Sequence, residues 1–534
     1  MIGESANEDV DTSRNWLYTL PYEVLLQIAR CYSYNEELGS VKLSHVDSYY
    51  RSIVLKEPSL WTRISVLQPD MYKTFIERSG NLPLELTYRF KKEYNKDKCQ
   101  ELALTLSSTT ISRWIALTII CDRSFLSENS ISSLSDAMFE FRDLVFPNLE
   151  TARFILDESD TSLCSKSWAT EILTFHVNWK LPSLKKLVVE GFIPAPFSES
   201  SDLSSITDLV IDIKYTDKEC EYNSTELSCF LENLHSLENI RIVLDKQLKQ
   251  EKHWSHLPPE FCHTYQDPWS PSQSFFLFRE SIFGRPRIDL PWVKLEKLRR
   301  LELELDPICD LEKLARGFQN FLISNVEELI FRLNTKCAER QYLYSSGHSW
   351  SSFYVRNVGN VLDTLLVTSM QDGTPQEIGK MPNIKSLALS IDGVRDGSSF
   401  SCYEIPFDKI PKLENLEINT YGLRFSFDGL WKNGGGIMIN LKSMRLSGDP
   451  VNIDIRSLER YASELQKILW QLPEVVLDFG PRECTYTNIL KGKLFETFLH
   501  RKIGKGALSA RQDEYCWHMK HVRQTIQTPL TSLY

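Results

Sequence analysis

The stretch LPSLKKLVVEGF (Leu181–Phe192) decides how the chain is read, because four further stretches repeat its pattern. They are LHSLENIRIVLD (Leu234–Asp245), LEKLRRLELELD (Leu295–Asp306), MPNIKSLALSID (Met381–Asp392) and IPKLENLEINTY (Ile410–Tyr421). Each contains L-x-x-L-x-L, with any large apolar residue accepted at the marked places. The template begins at Trp114, Leu149, Leu184, Ile206, Leu237, Leu298, Val326, Leu362, Ile384, Leu413 and Leu441, with Ala152 as its one weak fit. Successive starts lie 22 to 36 residues apart, apart from one interval of 61 between Leu237 and Leu298. That interval holds either a degenerate unit or an insertion. Alternation of apolar and polar residues within each copy predicts a short strand with one buried face.

The pattern resembles that of leucine-rich repeats, whose units run 20–29 residues and place Asn or Cys eight positions after the first leucine. Here that position holds Asp122, Asp157, Asp245, Asp306, Asn334, Asp392 and Asp449 in seven of the eleven copies, and Phe192, Lys214, Met370 and Tyr421 in the other four. Asp and Asn side chains carry an oxygen that bonds nearby backbone N–H groups at the turn out of a strand. Helical stripes fall between the strands: Leu311, Leu314, Phe318, Phe321 and Leu322 behind a cap at Asp310, and Leu163, Trp168, Ile172 and Phe175. A third stripe holds Leu458, Tyr461, Ala462, Leu465, Ile468 and Leu469. The fold class implied is α/β: a leucine-rich-repeat solenoid with a curved parallel sheet and helices on its convex side. A doubly wound α/β domain also alternates strands with helices. Against it, these strands are short, nearly identically patterned, and carry no glycine-rich turn.

Ahead of the repeats stands LPYEVLLQIARCYSYNEELGSVKLSHVDSYYRSIVLKEPSLW (Leu20–Trp61), which reads as three short helices. Pro21 suits a first helical position. Val24, Leu25, Ile28, Ala29 and Tyr32 follow at helical spacing. Leu38 and Val41 belong to a second helix; Val46, Tyr50, Ile53 and Val54 to a third that starts near Ser44 or Asp47 and stops before Pro58. A unit of about 40 residues rarely buries enough surface to stand alone, so its apolar faces need the following chain, a partner, or both.

These residues resemble an F-box, through Leu20, Pro21, Glu23, Val24, Leu25 and Ile28, then the run Val41–Ile64. The PSLW ending and FIERSGNLPLEL (Phe75–Leu86) are similar to F-box proteins of fungi. Asp47 stands where the family usually has Cys, and Tyr50 where it usually has Trp. The resemblance implies docking on a Skp-type adaptor, and through it on a cullin scaffold, by Leu20, Pro21, Val24, Leu25, Ile28, Val41, Leu43, Val46, Tyr50 and Val54. Some of these must pack the unit itself. It implies a non-catalytic subunit of a ubiquitin ligase that holds an unknown target protein through its repeats and needs no cofactor. Two other readings stay open: a scaffold whose three helices only cap the solenoid, and an enzyme built on the histidines of the proline-rich insertion.

The expected organisation is a polar leader (1–15), the three-helix unit (16–60), the array (61–480) and a C-terminal cap with a basic tail (481–534). After the helices, Trp61, Ile64 and Val66 lead to a helix from Asp70 to Ser79, a stop at Gly80 and an alternating strand from Leu82 to Tyr88. Two stretches break the array. Residues 246–291 hold six prolines with Trp254, Trp269, Phe275, Phe276 and Phe278; residues 335–357 hold Tyr342, Tyr344, Trp350, Phe353 and Tyr354. Long aromatic loops of this kind are usually functional or disordered. Between the template leucines, Arg153, Val188, Val210, Arg241, Glu302, Ile330, Leu366, Ala388, Glu417 and Arg445 are expected on the concave face. This mixed row suggests a protein target, contacted by Arg241, Glu302, Ile330 and Leu366 together with Trp254 and Trp269 of the insertion.

Composition narrows the classes. The 534 residues carry 61 Lys+Arg against 71 Asp+Glu, a net charge of −10 that argues against a dedicated nucleic-acid binder. Hydrophobic residues at 42% belong to a folded chain. The 12 cysteines form no CxxC pair, the first residues do not read as a signal peptide, and no apolar run suits a membrane helix. A soluble intracellular protein of cytoplasm or nucleus is expected. No phosphate loop, dinucleotide fingerprint, nucleophile elbow or H-E-x-x-H occurs. His253, His256, Cys262 and His263 are zinc-type ligands at a spacing that fits no standard site.

Overall fold

A computed structural model describes residues 20–36, 38–66, 69–90, 110–122, 144–157, 178–191, 203–215, 224–246, 293–305, 318, 321–333, 359, 361–368, 378–391, 402–420, 423–427, 440–448, 453–454, 457–458, 460–461, 464 and 474–478. Residues 1–15, nearly all of the two aromatic stretches, Trp254, Trp269, the histidine–cysteine group and 481–534 lie outside them. The chain forms two compact units, Met1–Ile206 and Thr207–Tyr534. The division falls inside the stretch that the sequence treats as one array.

The first unit runs α1 (Tyr22–Asn35), α2 (Gly39–Ser44), α3 (Ser48–Lys56), a 3-10 turn (Pro58–Trp61), β1 (Arg63–Val66), α4 (Pro69–Arg78), β2 (Leu84–Phe90), β3 (Trp114–Asp122), β4 (Thr151–Asp157) and β5 (Lys186–Glu190). Its strands pair in parallel, each with the next in the chain. The predicted helix from Asp70 and its glycine stop are present: α4 ends at Arg78, and Gly80 has φ +57°.

The second unit runs β6 (Asp208–Tyr215), α5 (Ser224–Glu232), β7 (Asn239–Lys246), β8 (Val293–Lys294), β9 (Arg300–Leu305), β10 (Phe321–Leu322), β11 (Glu328–Leu333), β12 (Val367–Thr368) and β13 (Ile378–Gly379). It continues with β14 (Ser386–Ile391), β15 (Cys402–Glu404), β16 (Asn415–Thr420), β17 (Arg424–Ser426), β18 (Ser443–Gly448) and β19 (Glu474–Asp478). Its main sheet is parallel in the order β6-β7-β9-β11-β14-β16-β18-β19. Both units are therefore α/β with parallel sheets built from one repeated strand.

The repeat explains the register. At nine template sites the first apolar residue sits two positions before a strand, and the next two point into the core. In the second unit Leu209, Ile240, Leu301, Leu329, Leu387, Leu416 and Met444 lie side by side across consecutive strands, all buried. Sliding one strand by a residue would turn its buried row outward, so the leucines pin the pairing. Gly448, at φ +100°, closes β18 where a Cβ would collide with the Thr420 carbonyl oxygen, a place only glycine fits.

A tight turn precedes many of the main strands. The N–H of Leu184, Ile206, Leu298, Val326, Ile384 and Leu413 donates to the carbonyl three residues back. A polar side chain just before the strand's first leucine then ties one repeat to the previous one. Asn148, Ser183, Asn325, Asn383 and Asn440 donate to the carbonyls of Ser112, Pro147, Glu296, Ser324 and Pro411 at 2.6–3.0 Å. Asn383 also accepts from Lys412 Nζ at 2.6 Å. Asn383→Ala is expected to lower unfolding free energy by about 1 kcal/mol, the net worth of such bonds, read as a shift in urea midpoint; an unchanged midpoint would deny the ladder a role.

One open alternative closes and three sequence expectations change. The interval of 61 residues holds an insertion and no further strand of the main sheet, because β7 pairs directly with β9. Leu362 starts no strand of that sheet, because β11 pairs directly with β14. Residues 361–366 are helical, and Val361, Leu362, Leu365 and Leu366 are a buried stripe at helical spacing that also satisfies L-x-x-L. Phe321 and Leu322, expected on the helical stripe from Leu311, instead form β10, paired in parallel with β8. Conversely β19 fits the template from Leu472, a start absent from the eleven expected ones.

Among the described residues, the returns between main strands therefore mix helix (α5, 361–366) with short strands (β8, β10, β12, β13, β15, β17). They bond to one another: the Tyr403 hydroxyl donates to Asp363 at 2.9 Å, and its ring stands edge-on to Phe425 at 6.1 Å. Lys380 is buried here, its ammonium donating to the carbonyl oxygens of Phe318 and Thr364. Burial pushes its pKa down from 10.5 to about 7. Unfolding returns it to the ordinary value, so the unfolded chain binds the extra proton between those limits. Stability should rise with pH through that window, by up to about 1.4 kcal/mol per unit. Urea midpoints at pH 7.5 and 8.5 measure this below the range where the buried Cys121 thiol, raised to about 12, acts in the opposite direction. Lys380→Met should flatten the slope; an equal slope in both proteins would assign it elsewhere.

Candidate interaction surfaces

The three helices carry two apolar faces. Leu25, Leu26 and Ala29 of α1 pack inward with Leu43 of α2 and with Tyr50, Ile53 and Val54 of α3. Val24 and Ile28, one helical turn apart, face outward at 42% and 41% exposure, with Tyr22 and Tyr32 beside that line. Val46, in the turn between α2 and α3, is 61% exposed, and Tyr49 and Leu55 of α3 are exposed too. Pro21 is exposed; Leu20 and Val41 are half-buried.

The expected docking set thus separates. Leu25, Leu43, Tyr50 and Val54 are corrected to internal packing residues, since their side chains are turned away from solvent. Pro21, Val24, Ile28 and Val46, with part of Leu20 and Val41, form the accessible set. Sequence spacing merged them because α1 is apolar on both sides, at Val24 and Ile28 as well as Leu25 and Ala29.

The acid at position 47 has a structural reason. Asp47 is the N-cap of α3, its carboxylate accepting the Tyr50 N–H at 2.8 Å. Burial, then the Asp47 charge, raises the Tyr50 hydroxyl above its ordinary pKa, so it stays neutral. At the exit Glu57 accepts from Ser59 and pairs with Arg30 at 3.3 Å; the Ser59 bond first, then Arg30, holds its carboxyl below the usual range.

The exit also fixes the three helices to α4. Trp61 is 1% exposed, donates from Nε1 to the Val54 carbonyl at 2.8 Å and stands edge-on to Phe75 of α4 at 5.0 Å. The Arg78 guanidinium lies over its ring at 4.3 Å.

The second surface is the open face of the second unit's sheet. Val210, Arg241, Glu302, Ile330, Ala388, Glu417, Arg445 and Val476 form one cross-strand row. Arg241, Glu302 and Ile330 are thus neighbours, as expected. Leu366 is not among them: it is fully buried in the helical return, a correction that follows from the helical period of residues 361–366. Trp254 and Trp269 lie outside the described residues. In the first unit the matching positions Arg153 and Val188 pair across β4 and β5.

One carboxylate organises part of this face. Glu302, only 8% exposed, meets Arg241 at 3.5 Å, Arg300 at 3.4 Å and Arg332 as well. Arg241 also reaches Glu304 at 3.2 Å and Arg300 reaches Glu328 at 3.5 Å. Three cations and three carboxylates close on themselves. A groove of about 580 Å³ over β11, β14, β16, β18 and β19 shares Glu328 and Arg332 with this cluster and is also lined by Glu417 and Arg445.

Protein-family models and curated proteins yield no match to the chain. No group of His, Cys, Asp and Glu among the described residues could hold a metal ion. No helix among them is long and apolar enough to cross a membrane.

Proposed function

We propose that the chain is the substrate-recognition subunit of a Skp–cullin–F-box ubiquitin ligase, its helices docking on a Skp-type adaptor and its repeated strands holding a target protein. The outward apolar line of Val24 and Ile28 on α1 carries this reading: a helix whose inner face is already filled still presents a second apolar face. Large apolar side chains grouped at a surface mark interaction sites. The chain itself makes no bond in this scheme. It raises the effective concentration of a target lysine beside the ubiquitin-charged enzyme that the scaffold brings.

The packing of Trp61 favours a second reading, in which the helices only cover the end of the first unit's sheet and the chain is a scaffold. Co-purification of the full chain with a Skp-type adaptor separates the two. Retention of the adaptor supports the receptor; its absence at micromolar concentrations favours the scaffold.

A further inference from the structure

We draw no further inference here: the strongest candidate, the groove of about 580 Å³ over β11, β14, β16, β18 and β19, is lined by Glu328 and Glu417 together with Arg332 and Arg445, and nothing in the structure shows what covers it.

Discussion

Val24→Asp combined with Ile28→Asp is expected to abolish capture of a Skp-type adaptor while leaving the urea midpoint of the chain nearly unchanged. Both side chains are exposed on one line of α1, so an aspartate there remains hydrated in the free protein. Surface changes of this kind usually alter stability by less than about 0.5 kcal/mol. In a complex that covers α1 the same carboxylates would be stripped of water against apolar atoms, at several kcal/mol each. That is the size of an interface hot spot, enough to lower affinity by about a hundredfold or more. Leu25→Asp is the contrasting variant. Leu25 is fully buried, so its aspartate should damage the helices and reduce capture through unfolding. Wild-type capture by the double variant with an intact fold would place the adaptor elsewhere or remove it.

Trp61→Ala should destabilise the first unit by about 3–5 kcal/mol, a sizeable share of the 5–15 kcal/mol that holds a typical domain together. The change removes a large ring from between α3 and α4, leaves the Val54 carbonyl without its donor and takes away the surface on which Arg78 rests. Adaptor capture should fall with it, although Trp61 is itself too buried to touch a partner. Trp61→Phe keeps most of the packing and loses the hydrogen bond, so an intermediate loss of about 1–2 kcal/mol is expected. Urea denaturation followed by circular dichroism gives both values. If Trp61→Ala melted like the wild type and still captured the adaptor, the helices would fold without support from β1 and α4.

These two outcomes depend on a distinction that helical spacing alone does not contain. Val24, Leu25, Ile28 and Ala29 read as one stripe because all four are apolar and close in angle. Only the packing of α2 and α3 assigns Leu25 and Ala29 to the interior and leaves Val24 and Ile28 outside. Similarly Asp47 stands out as a departure from a family pattern, and its role as the cap of α3 becomes visible once the Tyr50 N–H is placed against it.

What the amino-acid order determined by itself is the repeated strand. Strand periodicity is local, so Leu184, Leu187 and Val189 and their counterparts were enough to locate most main strands and to identify Arg241, Glu302 and Ile330 as neighbours on one face. The asparagines and serines that tie repeats together were also legible in principle, as a short polar residue before most of the first leucines. What the tertiary structure decided is non-local. The direct pairing of β11 with β14 rejects Leu362 as a strand, because two apolar residues three apart satisfy a strand template and a helix equally well until a ladder partner is found or is absent. The direct pairing of β7 with β9 turns a long interval into an insertion. The pairing of three arginines with the carboxylates around Glu302 arises in the same way. Which charge is already neutralised depends on distances across strands about 30 to 60 residues apart, set by the sheet and invisible in any single repeat.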